Sequence, residues 1–387
     1  MNETTIKKRI DSIDMLRGLV ILIMLVDHAR EKFYLHKNVA DPMNIDSTDP
    51  DLFFTRLLAH FCAPIFVFLT GLSAWLYAHP ANKAPRSAQS FLLKRGLFLI
   101  LIEITLVNFS WFAAYTTLYL QVIWAIGVSM IALAALLYLP RLWIAVIGLA
   151  IVFGHNALGF IEFAPHETGY TLWTILHDRA FLVSEGALKI RASYPVLPWI
   201  GVIAVGYAAG PLFSHNVDEL TRRKTLIMGG TACLVALVLL RAFNIYGESQ
   251  PWQMYDESIR SVMSFLNFTK YPPSLMFLLF TLGIGAFVLA YLETAKSKLC
   301  AMLKTFGSVP MFFYILHLYV LLITYFILSK VIGTTTVIGP NDYPYLGFPN
   351  VWLVWLAAIV LAALLYWPCK KFSQFKHSSQ SAWVKYF

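Results

Sequence analysis

Ten apolar runs recur along the chain, each close to the ~17–25 residues that a helix needs to cross a hydrocarbon core. They fall at about 14–33, 53–78, 90–112, 117–139, 141–157, 195–214, 224–243, 272–293, 306–330 and 350–369. Pro140 and Arg141 leave only a short turn between the fourth and the fifth. With 58% of residues hydrophobic and 13% charged, too little polar side chain remains to clothe a surface in water. The expectation is an all-α, polytopic transmembrane helix bundle of about ten spans, one domain over residues 1–387.

The net charge of +9 would suggest nucleic acid in a soluble chain. Here the bases fall largely in loops and report orientation instead, so no nucleic-acid partner is expected. With the N-terminus inside, about 18 bases lie on the inner side against about 11 outside, and the inner loops are the short ones. Both termini are therefore expected in the cytoplasm, with 1–13 a short leading segment and 370–387 a basic tail. The charged start runs into an apolar segment too long for a cleavable signal, so that segment is expected to stay as the first span. Cys62, Cys233, Cys300 and Cys369 are scattered singly, which predicts free thiols and no metal site.

Three longer connections are expected outside: 34–52, rich in Asp and Pro; 158–194, with "LHDRAFLVSEGALKIRASYP"; and 244–271, ending in "SFLNFTKYPP". Long loops carrying aromatic residues suit a lid over an outer mouth, with plain connectors as the alternative. No internal repeat is evident, and no glycine cluster forms a phosphate loop. The small residues of "GLAIVFGHNALGF" and "GVIAVGYAAG" predict close helix contacts, and the methionines read as lipid-facing or filling side chains.

Against this background the ionisable groups inside spans are costly and informative. In "IDMLRGLVILIMLVDHAREKF", Arg17 and His28 are eleven residues apart, which returns a helix to within about 20° of the same face, about 16 Å farther along. Asp14 sits one turn before Arg17 and can pair with it. The second span opens with "RLLAHFCAPIFVFLTG", so His60 could meet His28 at one outer mouth, with Asp27 orienting a ring nitrogen. Arg17 alone reads equally as a snorkelling interfacial residue, and each histidine as a helix-end side chain reaching water. Further along lie Glu103, Asn108, Gln121, His155, Asn156, Arg241, Asn244 and His317. Singly these read as interhelical hydrogen bonds. Together they imply a polar cavity between helices, because facing lipid unpaired would cost several kcal/mol.

The blocks "SIDMLRGLVILIMLVDHA", "HFCAPIFVFLTG", "YPVLPWIGVIAVGYAAG", "FTKYPPSLMFLLFTLG" and "FGSVPMFFYILHLYVL" make the sequence from Ile13 to about Leu365 resemble a known group. That group is the bacterial membrane proteins related to the heparan-alpha-glucosaminide N-acetyltransferase catalytic domain. It is similar in turn to the wider transmembrane acyltransferases, including the acyltransferase-3 proteins. In those proteins the first span carries an arginine, ten intervening residues and a required histidine, a pattern that Arg17 and His28 resemble. In the heparan enzyme the proposed catalytic histidine lies just beyond the first span, a region that corresponds roughly to "EKFYLHKN" and makes His36 a rival to His28.

The resemblance implies transfer of an acyl group, usually acetyl, from cytosolic acyl-CoA to a sugar amine or hydroxyl outside. For a bacterial chain the expected location is the inner (plasma) membrane, with lipid as the surrounding partner and a homo-oligomer left open. On that basis Arg17, Lys94 and Arg95 are expected to hold coenzyme A, with its acetyl-CoA or other acyl-CoA thioester running along a channel. His28 or His36, with Asp27 and His60 beside them, would act as base or transient acyl carrier. Glu103, Asn108, Gln121, Arg241 and His317 would line the acceptor's path. A proton-coupled transporter that relays protons through His28, His60, Glu103 and His317 is the rival class, and a scaffold indifferent to its histidines is the third.

Overall fold

The computed structural model describes residues 10–34, 41–81, 83–334 and 345–387. In chain order its main elements are α1 (Asp11–Phe33), α2 (Pro50–Leu58), α3 (Cys62–Ala78), α4 (Gln89–Ile102), α5 (Asn108–Phe112), β1 (Thr117–Leu120), α6 (Val122–Leu136) and α7 (Arg141–Gly154). There follow α8 (Tyr170–Leu176), β2 (Phe181–Val183), β3 (Lys189–Ala192), α9 (Leu197–Ala208), α10 (Glu219–Ala242) and α11 (Ser258–Leu266). The chain closes with α12 (Leu275–Leu292), α13 (Lys298–Ser308), α14 (Pro310–Val331) and α15 (Val351–Ser378). Every one of the ten apolar runs is helical over most of its length.

Local chemistry sets several boundaries. Ser274, Ser297 and Asn350 cap α12, α13 and α15 by accepting from the backbone N–H three residues on. Asp218 does the same for α10, and its hydrogen bonds with Thr221 hold its carboxyl below the usual carboxylate range. Pro140 closes the turn before α7, and Pro310 opens α14 at a position where its missing N–H costs nothing. Two irregularities break longer helices. A 3-10 turn at Ala59–Phe61 joins α2 to α3, and a π turn at Glu103–Val107 joins α4 to α5.

Six helical stretches among the described residues are long and apolar enough to cross a membrane: Pro50–Ala78, Arg141–Leu158, Glu219–Ala242, Leu275–Leu292, Pro310–Val331 and Val351–Ser378. The sequence-based figure of ten is not reached by this measure. α6 and α9 are apolar but short, and α1 carries acids and bases at both ends. Leu142, Trp143, Val146 and Phe153 on α7, and Trp352, Leu356, Ile359 and Leu364 on α15, are large apolar side chains left exposed in helical stripes. Water does not tolerate such stripes and lipid does, so this is an integral membrane protein.

Inside the bundle the closest crossings run through glycine. Gly18 on α1 lies against the Leu303 backbone on α13, and Gly307 lies against the Asp14 backbone, so a Cβ at either would overlap main chain. α7 and α9 meet at Gly148 and Gly201, the small-residue stretches singled out in the sequence. Outside the helices, β1 pairs parallel with β3, and β3 antiparallel with β2, giving a small sheet in the order β1-β3-β2 that an all-helical reading did not include. The long connections touch one another. Arg260 donates to the Ile45 carbonyl, and the Tyr271 hydroxyl donates to the Tyr194 hydroxyl at 3.2 Å.

Candidate functional site

A cavity of about 530 Å³ runs through the bundle, bounded by stripes of several helices. α1 contributes Arg17, Met24 and His28; α3 contributes Ala63, Phe66, Thr70, Ser73 and Tyr77; α4 contributes Phe91, Arg95 and Leu99; α6 contributes Ile123, Ile126 and Met130. The spacings of three, four and seven residues are those of one helical face. Arg17 and His28 therefore share a face and a cavity, and they lie toward opposite ends of it.

The Arg17 end is cationic. Arg17 donates to Asp14 Oδ1 at 2.7 Å, to Ser73 Oγ at 3.1 Å and to the Gly307 carbonyl at 3.2 Å, so its guanidinium is fixed by α1, α3 and α13 together. Arg95 and Lys376 line the same end with His79 and His215, and Lys376 Nζ is held 2.9 Å from the Ser308 carbonyl. Against these cations the lining includes one nearby acid, Asp14. Lys94 is exposed and is not among the lining residues, because one step along a helix turns a side chain about 100° off the Arg95 stripe. The middle of the cavity is apolar, with Met24, Phe66, Leu99 and Ile126.

The His28 end is polar and crowded. His28 Nδ1 lies 2.7 Å from His317 Nε2 on α14, and His317 Nδ1 lies 2.9 Å from the Phe313 carbonyl. A carbonyl can only accept, so His317 donates through Nδ1, and in the neutral ring its Nε2 then carries a lone pair. That lone pair accepts the Nδ1–H of His28 and leaves His28 Nε2 as a basic nitrogen. The two rings stack at 5.0 Å, and Trp111 and Tyr314 close on His28 edge-first.

Next to this pair lies a buried ion network. Asp27 accepts from Arg30 Nε at 3.0 Å and from Arg56 Nη1 at 2.6 Å, and Arg30 also reaches Glu31 at 3.2 Å. Lys270 and Tyr194 complete the lining here. The Tyr194 and Tyr271 hydroxyls are 3.2 Å apart, and burial, with Tyr271 beside it, pushes the Tyr194 phenol well above its ordinary value, keeping it protonated at neutral pH.

The structure thus brings Arg17, Arg95, Asp27 and His28 to one cavity, with His317 behind His28. Other sequence candidates stand elsewhere. His60 is buried against Phe277, and the partner of His28 is His317 rather than His60. Glu103 accepts from the N–H groups of Ile123 and Trp124 at 3.0 and 3.1 Å, capping α6, while Asn108 bonds Tyr119 N at 2.7 Å and ties β1 to the π turn. Gln121 takes the N-cap position of α6 without lining the cavity. Arg241 is spent on the carbonyls of Phe265, Gln250, Ser264 and Asn267 at 2.5–3.1 Å, which clamps the loop leading to Lys270. His36 lies outside the described residues.

Arg56, Lys270, Tyr194, Ser73 and Lys376 were not singled out in the sequence. Lys376 sits in a tail whose bases read only as orientation signals. Lys270 sits in "FTKYPP", a string noticed for its aromatics.

No curated protein matches the sequence. A family model does, over residues 9–251: the family described as heparan-alpha-glucosaminide N-acetyltransferase, catalytic. The matched segment includes the Arg17 and His28 face and ends before Lys270 and His317.

Proposed function

The chain belongs to the heparan-alpha-glucosaminide N-acetyltransferase catalytic family, and from that premise we propose that it moves an acyl group, acetyl foremost, from acyl-CoA to a sugar amine or hydroxyl across the bilayer. The observation that carries this reading is a single cavity with Arg17, Arg95 and Lys376 toward one end, an apolar waist, and His28 toward the other. Coenzyme A has matching chemistry: phosphates for the cations, an extended arm for the waist and a thioester for the basic nitrogen. The Arg17 end then faces the cytosol, with both termini, in a bundle whose ten helical segments all contribute to the crossing, and the plasma (inner) membrane of a bacterium is the setting.

In this mechanism the acceptor N–H or O–H enters at the His28 end. Its nitrogen or oxygen attacks the thioester carbonyl carbon as His28 Nε2 takes the proton, and the C=O electron pair moves onto oxygen. Collapse reforms the carbonyl, breaks C–S and releases the thiolate, which recovers the proton from His28. His317 holds His28 in the tautomer that leaves Nε2 basic and shares the charge of the imidazolium, with the Phe313 carbonyl fixing His317 in turn. A positioned base of this kind contributes about 10²–10⁴ in rate.

The test is a purified sample given acetyl-labelled CoA and an amino sugar. Acceptor-dependent release of free coenzyme A together with label on the sugar supports the reading. Solute flux into proteoliposomes with no such chemistry supports a proton-coupled transporter instead.

A further inference from the structure

Acyl transfer passes through a tetrahedral oxyanion, and a low-dielectric site that lacks a donor aimed at that oxygen would catalyse it poorly. The bases near His28 are unequal in what they can offer. Arg30 is bonded to Asp27 and Glu31, and Arg56 is bonded to Asp27, so both guanidiniums are already neutralised by carboxylates. Lys32 lies on the same helix but is bonded to the Trp111 carbonyl at 2.8 Å and does not line the cavity.

Lys270 differs on each count. It lines the same cavity as His28 and Asp27, and among the described residues its ammonium has neither a carboxylate within ion-pair distance nor a hydrogen-bond acceptor. It lies over the Tyr271 ring at 5.3 Å and the Tyr194 ring at 5.9 Å. A π face steadies an ammonium without consuming any of its three N–H donors. The rings are themselves locked edge-to-face at 4.9 Å.

The backbone carrying Lys270 is pinned from both sides. Glu248 accepts from Thr269 N at 3.0 Å and from Ser274 Oγ at 2.6 Å, Ser274 N donates to Thr269 O at 2.9 Å, and Lys270 bridges to Pro273. Arg241 clamps the preceding carbonyls. A cation held by aromatic faces on a pinned loop, with its donors unspent, is preorganised for charge that appears only during reaction.

We infer that Lys270 is a second catalytic residue, its ammonium donating to the thioester oxygen as that oxygen becomes anionic, while His28 takes the acceptor's proton. This rests on the acyl-transfer reading. The step needs no further co-reactant: the C=O electron pair moves onto oxygen beside Lys270 and returns as the C–S bond breaks.

The experiment uses the full chain in detergent, with acetyl-CoA and glucosamine as the probes, and compares wild type, Lys270→Met and Lys270→Arg. The expected result is a fall in kcat of about 10²–10³ for Lys270→Met, the range for removing one oxyanion donor. KM for each substrate and acetyl-CoA binding should stay within a few-fold, and Lys270→Arg should recover much of the loss. Unchanged kcat in Lys270→Met overturns the assignment. So does a raised glucosamine KM at constant kcat, which would make Lys270 a contact for the acceptor's ground state. If Lys270→Met does not keep the wild-type melting temperature, Lys270→Gln replaces it and is judged by the same split between kcat and KM. A wild type inactive with glucosamine, and with water as acceptor, overturns the acyl-transfer reading and this one together. An active wild type with an active Lys270→Met removes Lys270 alone.

Discussion

His28 and His317 come from helices far apart in the chain, yet their ring nitrogens lie 2.7 Å apart, with the Phe313 carbonyl behind them. The order carbonyl, His317, His28 gives the two histidines different tasks. His28→Ala removes the basic nitrogen and is expected to reduce acceptor-dependent coenzyme A release by about 10²–10⁴. His317→Phe keeps the stacking surface but deletes the acceptor that fixes the His28 tautomer, and a smaller loss of kcat, with little change in KM, is expected. His60→Ala, at a site packed on Phe277, should lower thermal stability more than turnover. Full activity in the His28 variant would move the catalytic assignment to His36.

At the other end of the cavity the prediction concerns donor affinity. Arg17 and Arg95 line the cavity while Lys94 is exposed off it. Charge-assisted hydrogen bonds contribute about 1.5–3 kcal/mol, so Arg17→Ala and Arg95→Ala should each weaken acyl-CoA binding about ten-fold or more. Lys94→Ala should leave it unchanged. Titration calorimetry on detergent-solubilised protein separates these outcomes, and equal effects at Lys94 and Arg95 would place the phosphates elsewhere. Arg17 also bonds Asp14, Ser73 and Gly307, so its variant is expected to melt at a lower temperature as well.

The helices were legible because length and hydropathy act locally, and so was the face shared by Arg17 and His28, which depends only on 3.6-residue periodicity. The sheet of β1, β2 and β3 was not legible. Its strands are three or four residues long, and β1 finds β3 across some seventy positions. The partner of His28 was equally hidden, since sequence places His60 and His317 at a depth but does not say which helix faces which. Glu103, Asn108 and Arg241 were legible as costly polar groups, and what they do is satisfy backbone. Glu103 caps α6, Asn108 ties β1, and Arg241 gathers four carbonyls from the end of α11 and the connections on either side of it. Residue type does not reveal which of two obligations, to main chain or to ligand, a buried polar group meets.

Helix crossing makes a prediction about stability. Gly18 and Gly307 place the backbones of α1 and α13 in direct contact, so an added methyl at either meets main chain that cannot swing aside. Overpacking of this kind costs about 1–3 kcal/mol and more where backbone must move. Gly18→Ala and Gly307→Ala should lower the melting temperature and the yield of monodisperse protein. Gly229→Ala, where nothing lies within 4 Å of the added methyl, should be neutral or stabilising by up to ~1 kcal/mol. Equal behaviour of the three variants in fluorescence-detected melting would contradict the close crossing.

The buried network around Asp27 makes the sharpest claim about charge. One carboxylate holds two guanidiniums, Arg30 at 3.0 Å and Arg56 at 2.6 Å, with the Arg30 side chain 2% exposed and the other two 10%. Coulomb attraction at that depth barely exceeds the loss of hydration, so the network adds little net stability over apolar side chains of the same shape. Breaking it is a different matter. Asp27→Asn preserves shape and leaves two guanidiniums to share Glu31 alone, 3.2 Å from Arg30 and 3.9 Å from Arg56, with one buried positive charge uncompensated, at a cost of about 3–5 kcal/mol. Adding Arg56→Gln removes one of those cations. The double variant should therefore melt above Asp27→Asn, although it carries one more substitution, and the coupling in a double-mutant cycle should reach at least about 1 kcal/mol. Additive losses would mean that water reaches the network, and the carboxylate would then be an ordinary interfacial side chain instead of the counter-ion that keeps two arginines folded beside His28.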